Sequence, residues 1–154
     1  MISQELMSND WIEVISNDHL KYVQIEEIYK SSILTKESEV ESEEVSIDNI
    51  RPIPLTPEII EKNGFVTEER EGDPTFPYFA FIIENDEYRV EITWYDQHEV
   101  YEANTGEYLH GAPEVWNMEI LGKCGNYDCG KNKLYVHELQ HALKLCGIKK
   151  NIII

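Results

Sequence analysis

KLYVHELQHALKLCGI, residues 133–148, is the most regular stretch of the chain and predicts an amphipathic C-terminal helix. On a helical wheel, four apolar residues fall at the i, i+3, i+4 and i+7 positions of a buried stripe. These are Leu139, Ala142, Leu143 and Cys146. Gly147 is suited to end the helix in the left-handed conformation, and Lys144 suits the negative end of the helix dipole.

The same helix contains His137-Glu138-x-x-His141, the zinc-binding pattern of many metalloproteases. Both histidines share one face, roughly opposite Leu139, and Glu138 would be the catalytic general base of such a hydrolase. A zincin needs a third protein ligand, and no His, Asp or Glu follows His141. Candidates further upstream are an acidic residue, His98, His110, Cys124 and Cys129.

A structural zinc site is the second interpretation of these histidines. Cys124 and Cys129 lie in a glycine-rich loop just before the helix, and with His137 and His141 they offer two sulfur and two nitrogen ligands. The third interpretation has no metal: the histidines are exposed or face a partner, and the cysteines are free thiols in a surface loop. Because the third ligand is not identifiable, the sequence favours a protein that is not an enzyme.

Short β-type segments dominate the chain before residue 52. They are Trp11–Ile15, Lys21–Tyr29, Ser31–Thr35 and Val45–Ile50. Because closure removes exposed sheet edges, this pattern predicts a small β-barrel-like domain over residues 1–52. The proline-rich connector RPIPLTP, residues 51–57, marks the boundary, since proline interrupts regular hydrogen bonding.

The second domain, residues 53–154, is predicted to contain a short helix in TPEIIEKNGF, a four-stranded antiparallel β-meander and the C-terminal helix packed on it. The predicted meander strands are Phe76–Ile83, Tyr88–Tyr95, His98–Ala103 and Val115–Leu121. In the second of these, alternation places Arg89, Glu91 and Thr93 on the outward face. The tail Asn151–Ile154 is apolar enough to form an edge strand or tuck against the core. The fold class is therefore α+β.

The formal net charge of −17, from 30 acidic and 13 basic residues, disfavours direct binding to nucleic acid. An acidic surface keeps a protein soluble, and it can also present a phosphate-like surface to a basic partner protein. The acidic stretch after Lys36 is the candidate partner-binding segment. Its glutamates are Glu37, Glu39, Glu41, Glu43 and Glu44.

The sequence predicts a cytoplasmic protein that does not enter a membrane. The N-terminal residues lack the basic and apolar pattern of a cleavable signal, and no apolar run approaches the ~20 residues that span a bilayer. Three cysteines, an odd number, do not resemble a secreted disulfide framework.

RPIPLTPEIIEKNGF, residues 51–65, and YVHELQHALKLCGI, residues 135–148, together resemble a family of uncharacterised small proteins of Bacteroides-type phages and prophages. Its motifs are an I-x-P-I-P-L-T connector and a C-terminal V-H-x-L-Q helix, and the match covers mainly residues 47–65 and 133–148. The family brings no established activity. Related sequences read VHQLQN at positions 136–141, which implies structural roles for Leu139 and Gln140 and no shared zinc catalysis.

The leading functional hypothesis is a non-enzymatic acidic binding protein of phage or mobile-element origin. In its sharper form, the protein has an anti-defence role and inhibits a host system that handles nucleic acid, acting in the cytoplasm of the bacterial host. The alternatives are a zinc metalloprotease-like hydrolase that uses HELQH and a small adaptor domain with a structural zinc site.

Overall fold

The structure, a computed structural model of the 154-residue chain, describes residues 6–16, 19–36, 42–70, 78–95, 98–101, 105, 108–112, 114–122, 127–131 and 133–154. The chain divides into two compact units. The first contains Met1–Leu55, Tyr135–His141 and Ile154, and the second contains Thr56–Leu134 and Ala142–Ile153. The sequence-based division into 1–52 and 53–154 stays a prediction.

The first unit is built on a five-stranded antiparallel sheet in the order β4-β3-β2-β1-β5. Its strands are β1 (Trp11–Ser16), β2 (His19–Ile28), β3 (Ser32–Lys36), β4 (Ser42–Ser46) and β5 (Ile50–Pro52). A short 3-10 helix, Ile47–Asn49, connects β4 to β5. Strand β2 alternates between its two faces, because Val23 and Ile25 are buried whereas Tyr22 is exposed.

The barrel-like closure predicted for this segment is not confirmed. Among the described residues, β4 pairs only with β3 and β5 pairs only with β1, so the sheet is open. The alternating strands specify which face is buried, but they do not specify that the two edge strands meet.

One face of this sheet carries the apolar core of the first unit. The cluster consists of Leu6, Ile12, Val14, Val23, Ile25, Ile33, Val45 and Ile50. Burying each such aliphatic side chain contributes about 1.5–3 kcal/mol before the entropic cost of ordering the chain. Thr35 is buried on the same face. Its hydroxyl donates Oγ1–H to the carbonyl of Glu43 at 3.1 Å, which offsets the cost of burying a polar group.

The second unit begins with α1 (Pro57–Lys62), and the predicted short helix is confirmed. The Thr56 hydroxyl caps it by accepting the Ile59 N–H, and Pro57 occupies the first turn, where no N–H is needed. Gly64 follows with φ +67°, a left-handed conformation that glycine adopts without strain.

The main sheet of the second unit has five antiparallel strands in the order β12-β11-β8-β7-β6. The strands of the second unit are β6 (Val66–Arg70), β7 (Tyr78–Glu84), β8 (Tyr88–Tyr95), β9 (His98–Tyr101), β10 (Tyr108–Ala112), β11 (Val115–Gly122) and β12 (Tyr127–Lys131). The predicted four-stranded meander is therefore wrong in two respects. β9 leaves the main sheet to pair with β10, and two strands without an alternating signal, β6 and β12, form its edges.

Central strand β8 differs from its predicted alternation, because Glu91 and Thr93 are buried rather than exposed. Strands β7 and β11 flank β8 on both sides, so neighbouring side chains cover its polar face. The Glu91 carboxylate tolerates this position because the guanidinium of Arg89 donates to its Oε2 from Nε at 3.2 Å and from Nη2 at 3.0 Å.

The opposite face of this sheet carries an aromatic cluster around one carboxylate oxygen. Trp94 stacks on Phe79 and contacts Trp116, with ring centroids 5.9 Å apart in both pairs. Both indole N–H groups donate to Oε1 of Glu114 at 2.8 Å. A single acceptor thus satisfies two N–H donors. Without it, the unsatisfied donors would reduce the stabilisation gained by burying the rings.

The predicted C-terminal helix is confirmed as α2 (Val136–Leu145), which establishes the α+β fold class. Gly147 follows at φ +65°, and its N–H donates to the carbonyl of Lys144 at 3.1 Å. All members of the predicted apolar stripe are buried. That the meander packs on this helix stays a prediction.

The apolar tail tucks against the core of the second unit, as one of the two sequence alternatives predicts. Ile152 is buried, and the side chain of Asn63 hydrogen-bonds the backbone of the next residue, Ile153. The Asn63 side chain donates Nδ2–H to the carbonyl of Ile153 at 2.8 Å and accepts the Ile153 N–H at 2.9 Å, while also donating to the Ile59 carbonyl. Among the described residues, none of the helices has the length and apolar character needed to cross a membrane.

We expect Asn63→Ala to lower the free energy of unfolding by about 2 kcal/mol, because it removes three part-buried hydrogen bonds to the backbone of Ile59 and Ile153. The exposed Asn151 provides the matched control, and Asn151→Ala should change that free energy by less than about 0.5 kcal/mol. Urea unfolding followed by circular dichroism measures both. Equal effects of the two substitutions would contradict the anchoring role of Asn63.

Candidate functional site

Helix α2 begins with a cap formed by the glutamate of the HELQH motif. Oε2 of Glu138 accepts the backbone N–H of Tyr135 at 3.0 Å, which is the side-chain half of a capping box. The next N–H, of Val136, donates to the carbonyl of Ile53 at 3.0 Å, and Pro54 forms a β-bridge with Tyr135. The proposed general base thus orients the first turn of its own helix.

The second motif histidine pairs with a buried aspartate that the sequence does not single out. Nε2 of His141 lies 3.0 Å from Oδ1 and 2.9 Å from Oδ2 of Asp10. While Asp10 is ionised its oxygens only accept, so a hydrogen bond in this contact requires the proton on Nε2 of His141. The Met7 N–H donates to Oδ2 of the same carboxylate at 2.7 Å.

The environment of Asp10 is almost closed to solvent, with 3% of the residue exposed. Burial raises the pKa of its carboxyl above the ordinary value, because removing a carboxylate from water penalises the charged form; the Met7 N–H and His141 act in the opposite direction. The carboxylate therefore depends on the two groups that hydrogen-bond it.

Gln140 bonds the backbone on both sides of Asp10. Its Oε1 accepts the Trp11 N–H at 2.9 Å, and its Nε2–H donates to the Asn9 carbonyl at 3.0 Å. Asn9 has a positive φ of 72°, a conformation that asparagine tolerates better than most residues. The side chains of Gln140 and His141 thus hold one tight turn, whose Asp10 N–H donates to the Met7 carbonyl at 3.1 Å.

The first motif histidine is buried, so the alternative that both histidines are exposed is wrong, whereas the alternative that they face a partner stays a prediction. His137 is 4% exposed and stacks on Tyr135, with ring centroids 5.9 Å apart and an interplanar angle of 14°. The ring of His141 meets it edge-on at 5.8 Å. The helical wheel assigns one core face to α2, whereas the turn around Asp10 covers the histidine face as well.

The described residues contain no group of three His, Cys, Asp or Glu side chains that could hold a metal ion. Cys124 lies outside the described residues. Cys129 is on β12, opposite Met118, but its side chain lies outside the description, as do those of His98 and His110. The zinc site of His137, His141 and the two cysteines therefore stays a prediction, while both histidines already have structural contacts.

The candidate acidic segment is described only at its end. Glu37, Glu39 and Glu41 lie outside the described residues, whereas Glu43 and Glu44 are exposed on β4. Glu43 forms a 2.6 Å ion pair with Lys21. Oε1 of Glu44 accepts the Ser32 hydroxyl at 2.6 Å, a neutral donor that leaves the negative charge of the carboxylate in place.

Strand register also brings together two carboxylates that sequence spacing does not connect. Glu91 and Glu119 lie directly opposite each other on β8 and β11. Arg89 donates to the first, and Nδ2 of Asn117 donates to the second at 3.1 Å. Only the antiparallel pairing shows that these residues share a face, because they are 28 positions apart in the chain.

Comparisons of the chain with protein-family models, with curated proteins and with solved structures give no match.

We expect His141→Ala to lower the free energy of unfolding by about 3 kcal/mol, because the carboxylate of Asp10 stays buried without its ring partner. The exposed His19 is the matched control, and His19→Ala should cost less than about 0.5 kcal/mol. In a double-mutant cycle, Asp10→Asn should cost less in the His141→Ala background than in the wild type. Additive costs would contradict direct coupling of the two side chains.

Glu138→Ala and Glu138→Gln separate the capping role of Glu138 from its charge. We expect the alanine variant to lose about 1 kcal/mol of unfolding free energy, because the Tyr135 N–H loses its acceptor. The glutamine variant should keep most of that contribution, since its amide oxygen also accepts. Chemical denaturation measures both, and equal losses would show that the carboxylate charge matters more than the cap.

Proposed function

We propose that this chain is a non-enzymatic acidic binding protein whose partner is a basic protein. The observation that carries this proposal is the structural use of the HELQH motif. Glu138 caps its helix, Gln140 and His141 hold the turn around Asp10, and His137 packs between aromatic neighbours. Each chemically suggestive residue of the motif thus has a role in folding the first unit.

The charge of the chain supports a basic partner. With a net charge of −17, the chain attracts positively charged surfaces over a long range. It repels nucleic acid and other acidic proteins. Such attraction acts mainly on the association rate and weakens with added salt. A protein groove that binds nucleic acid is the kind of basic surface that this charge complements.

The sharper proposal is an anti-defence protein of phage or mobile-element origin that inhibits a host system handling nucleic acid. It is supported by the resemblance of residues 47–65 and 133–148 to small phage and prophage proteins, together with the acidity of the chain. Such an inhibitor acts in the bacterial cytoplasm by occupying the groove that its target uses for nucleic acid.

The test is capture of partners from a nuclease-treated bacterial lysate on the immobilised full-length protein, at about 50 mM and about 150 mM salt. We expect a basic nucleic-acid-handling protein to be retained strongly at low salt and less at the higher salt. The control matrix carries an unrelated acidic protein of similar net charge. Recovery of no such protein at either salt, or of the same proteins on both matrices, would overturn the proposal.

A further inference from the structure

The solvent-facing side of the sheet in the first unit carries an apolar patch at one end of β1 and β2, and we call this side the outer face. Because residues directly opposite on paired strands share a face, the register defines its members. It includes Glu13, Ile15, Leu20, Tyr22, Leu34 and Glu44. The apolar core of the unit belongs to the other side of the same strands.

This apolar patch is exposed, and it lies beside the paired strand ends Ser16 and His19. Leu20 is 62% exposed and Tyr22 is 51% exposed, two positions apart on β2. Ile15 lies opposite Leu20 and is half-buried, so these side chains adjoin one another across two strands. A solvated sheet face ordinarily alternates to polar residues, and adjoining exposed apolar side chains are typical of an interaction surface.

Toward the other end of β2, beyond the row of Gln24 and Lys36, the outer face carries carboxylates that form no ion pair with the described basic side chains. Across β2, β3 and β4 the register places Glu27, Leu34 and Glu44 in one row. Glu27 accepts the Tyr29 hydroxyl and Glu44 accepts the Ser32 hydroxyl, both at 2.6 Å. Neutral hydroxyl donors orient the carboxylates without cancelling their charge, so the full negative charge stays available to a partner.

A third carboxylate is held in the same way, because Glu26 accepts the Ser42 hydroxyl at 2.7 Å. The pKa of Tyr29 is raised, first by its hydrogen bond to Glu27 and also by the nearby charges of Glu26 and Glu44. All three carboxylates therefore lie close enough to influence the Tyr29 hydroxyl. The basic side chains of the outer face lie outside the row of Glu27 and Glu44: Arg51 shares the row of Glu13 and Tyr22, and Lys36 lies opposite Gln24.

We propose that the outer face docks a protein surface in which an exposed aliphatic or aromatic patch lies beside a group of lysine or arginine side chains. This inference rests on the proposed function and locates the contact within it. Leu20 and Tyr22 would supply the desolvated apolar contact, and Glu27 and Glu44, toward the other end of β2, the oriented charge. A second copy of this chain is a poor occupant, because it would bring the same uncompensated carboxylates against each other.

The experiment uses the ¹⁵N-labelled full-length protein and two synthetic peptides of equal charge and length, one alternating leucine with lysine and one alternating serine with lysine. We expect the leucine–lysine peptide to shift the amide resonances of β2 and β3 and to bind at least about tenfold more tightly than the serine–lysine peptide. Equal affinities would overturn the proposal, because attraction by net charge alone would explain them.

The Leu20→Thr/Tyr22→Thr double variant tests the location, since threonine keeps the β-propensity of the strand while removing the apolar surface. It should weaken binding of the leucine–lysine peptide at least about tenfold. Val66→Thr is the matched control, because Val66 is 63% exposed on the edge strand β6, and it should leave binding unchanged. Thermal unfolding verifies that each variant is folded.

Two further results would contradict the inference. A concentration-dependent dimer of the wild type that the double variant abolishes would assign the outer face to a second copy of the chain. Capture of the same lysate protein by the wild type and the double variant would leave the proposed function standing while removing the outer face from it. Loss of the captured protein with the double variant, but not with Val66→Thr, is the result expected.

Discussion

The first unit depends on the contact of the buried Asp10 carboxylate with His141. A carboxylate that is 3% exposed is costly unless it is paired and hydrogen-bonded, and here the Met7 N–H and the imidazole meet that requirement. Gln140 adds two bonds to the backbone on either side, so the turn and the first half of α2 satisfy each other's polar groups. Neither can be buried with its polar groups satisfied if the other is absent.

The same residues illustrate why a short motif does not establish a chemistry. The i, i+4 spacing that places two histidines on one helix face for zinc equally lets them pack under a turn of the chain. Glu138 lies three residues after Tyr135, whose N–H it accepts. This position suits a helix cap as well as a general base. In this structure Glu138 and Gln140 bond the backbone and His141 contacts Asp10, while a zinc site at the two histidines stays a prediction.

On the outer face, carboxylates accept hydrogen bonds from neutral hydroxyl groups, whereas some carboxylates elsewhere in the chain form ion pairs. Glu26, Glu27 and Glu44 each take a hydroxyl donor, whereas Glu43 is neutralised by Lys21 and Glu91 by Arg89. Hydroxyl donors fix the direction of a carboxylate and leave its field intact. The exposed Leu20 and Tyr22 lie on the same face toward the other end of β2, so this face carries both an apolar patch and charged carboxylates.

Local chemistry in the sequence determined both helices and most of the strands. Thr56 and Pro57 begin α1, Gly147 follows the end of α2, and the alternation in β2 separates its two faces, because caps, left-handed glycines and side-chain periodicity act within a few residues. Only the tertiary structure decided the open edges of the first sheet, the burial of Glu91 and the pairing of Asp10 with His141. The last of these joins residues 131 positions apart, and nothing in the periodicity around either one specifies the other. Such contacts arise from strand register and chain packing, which balance interactions over the whole unit.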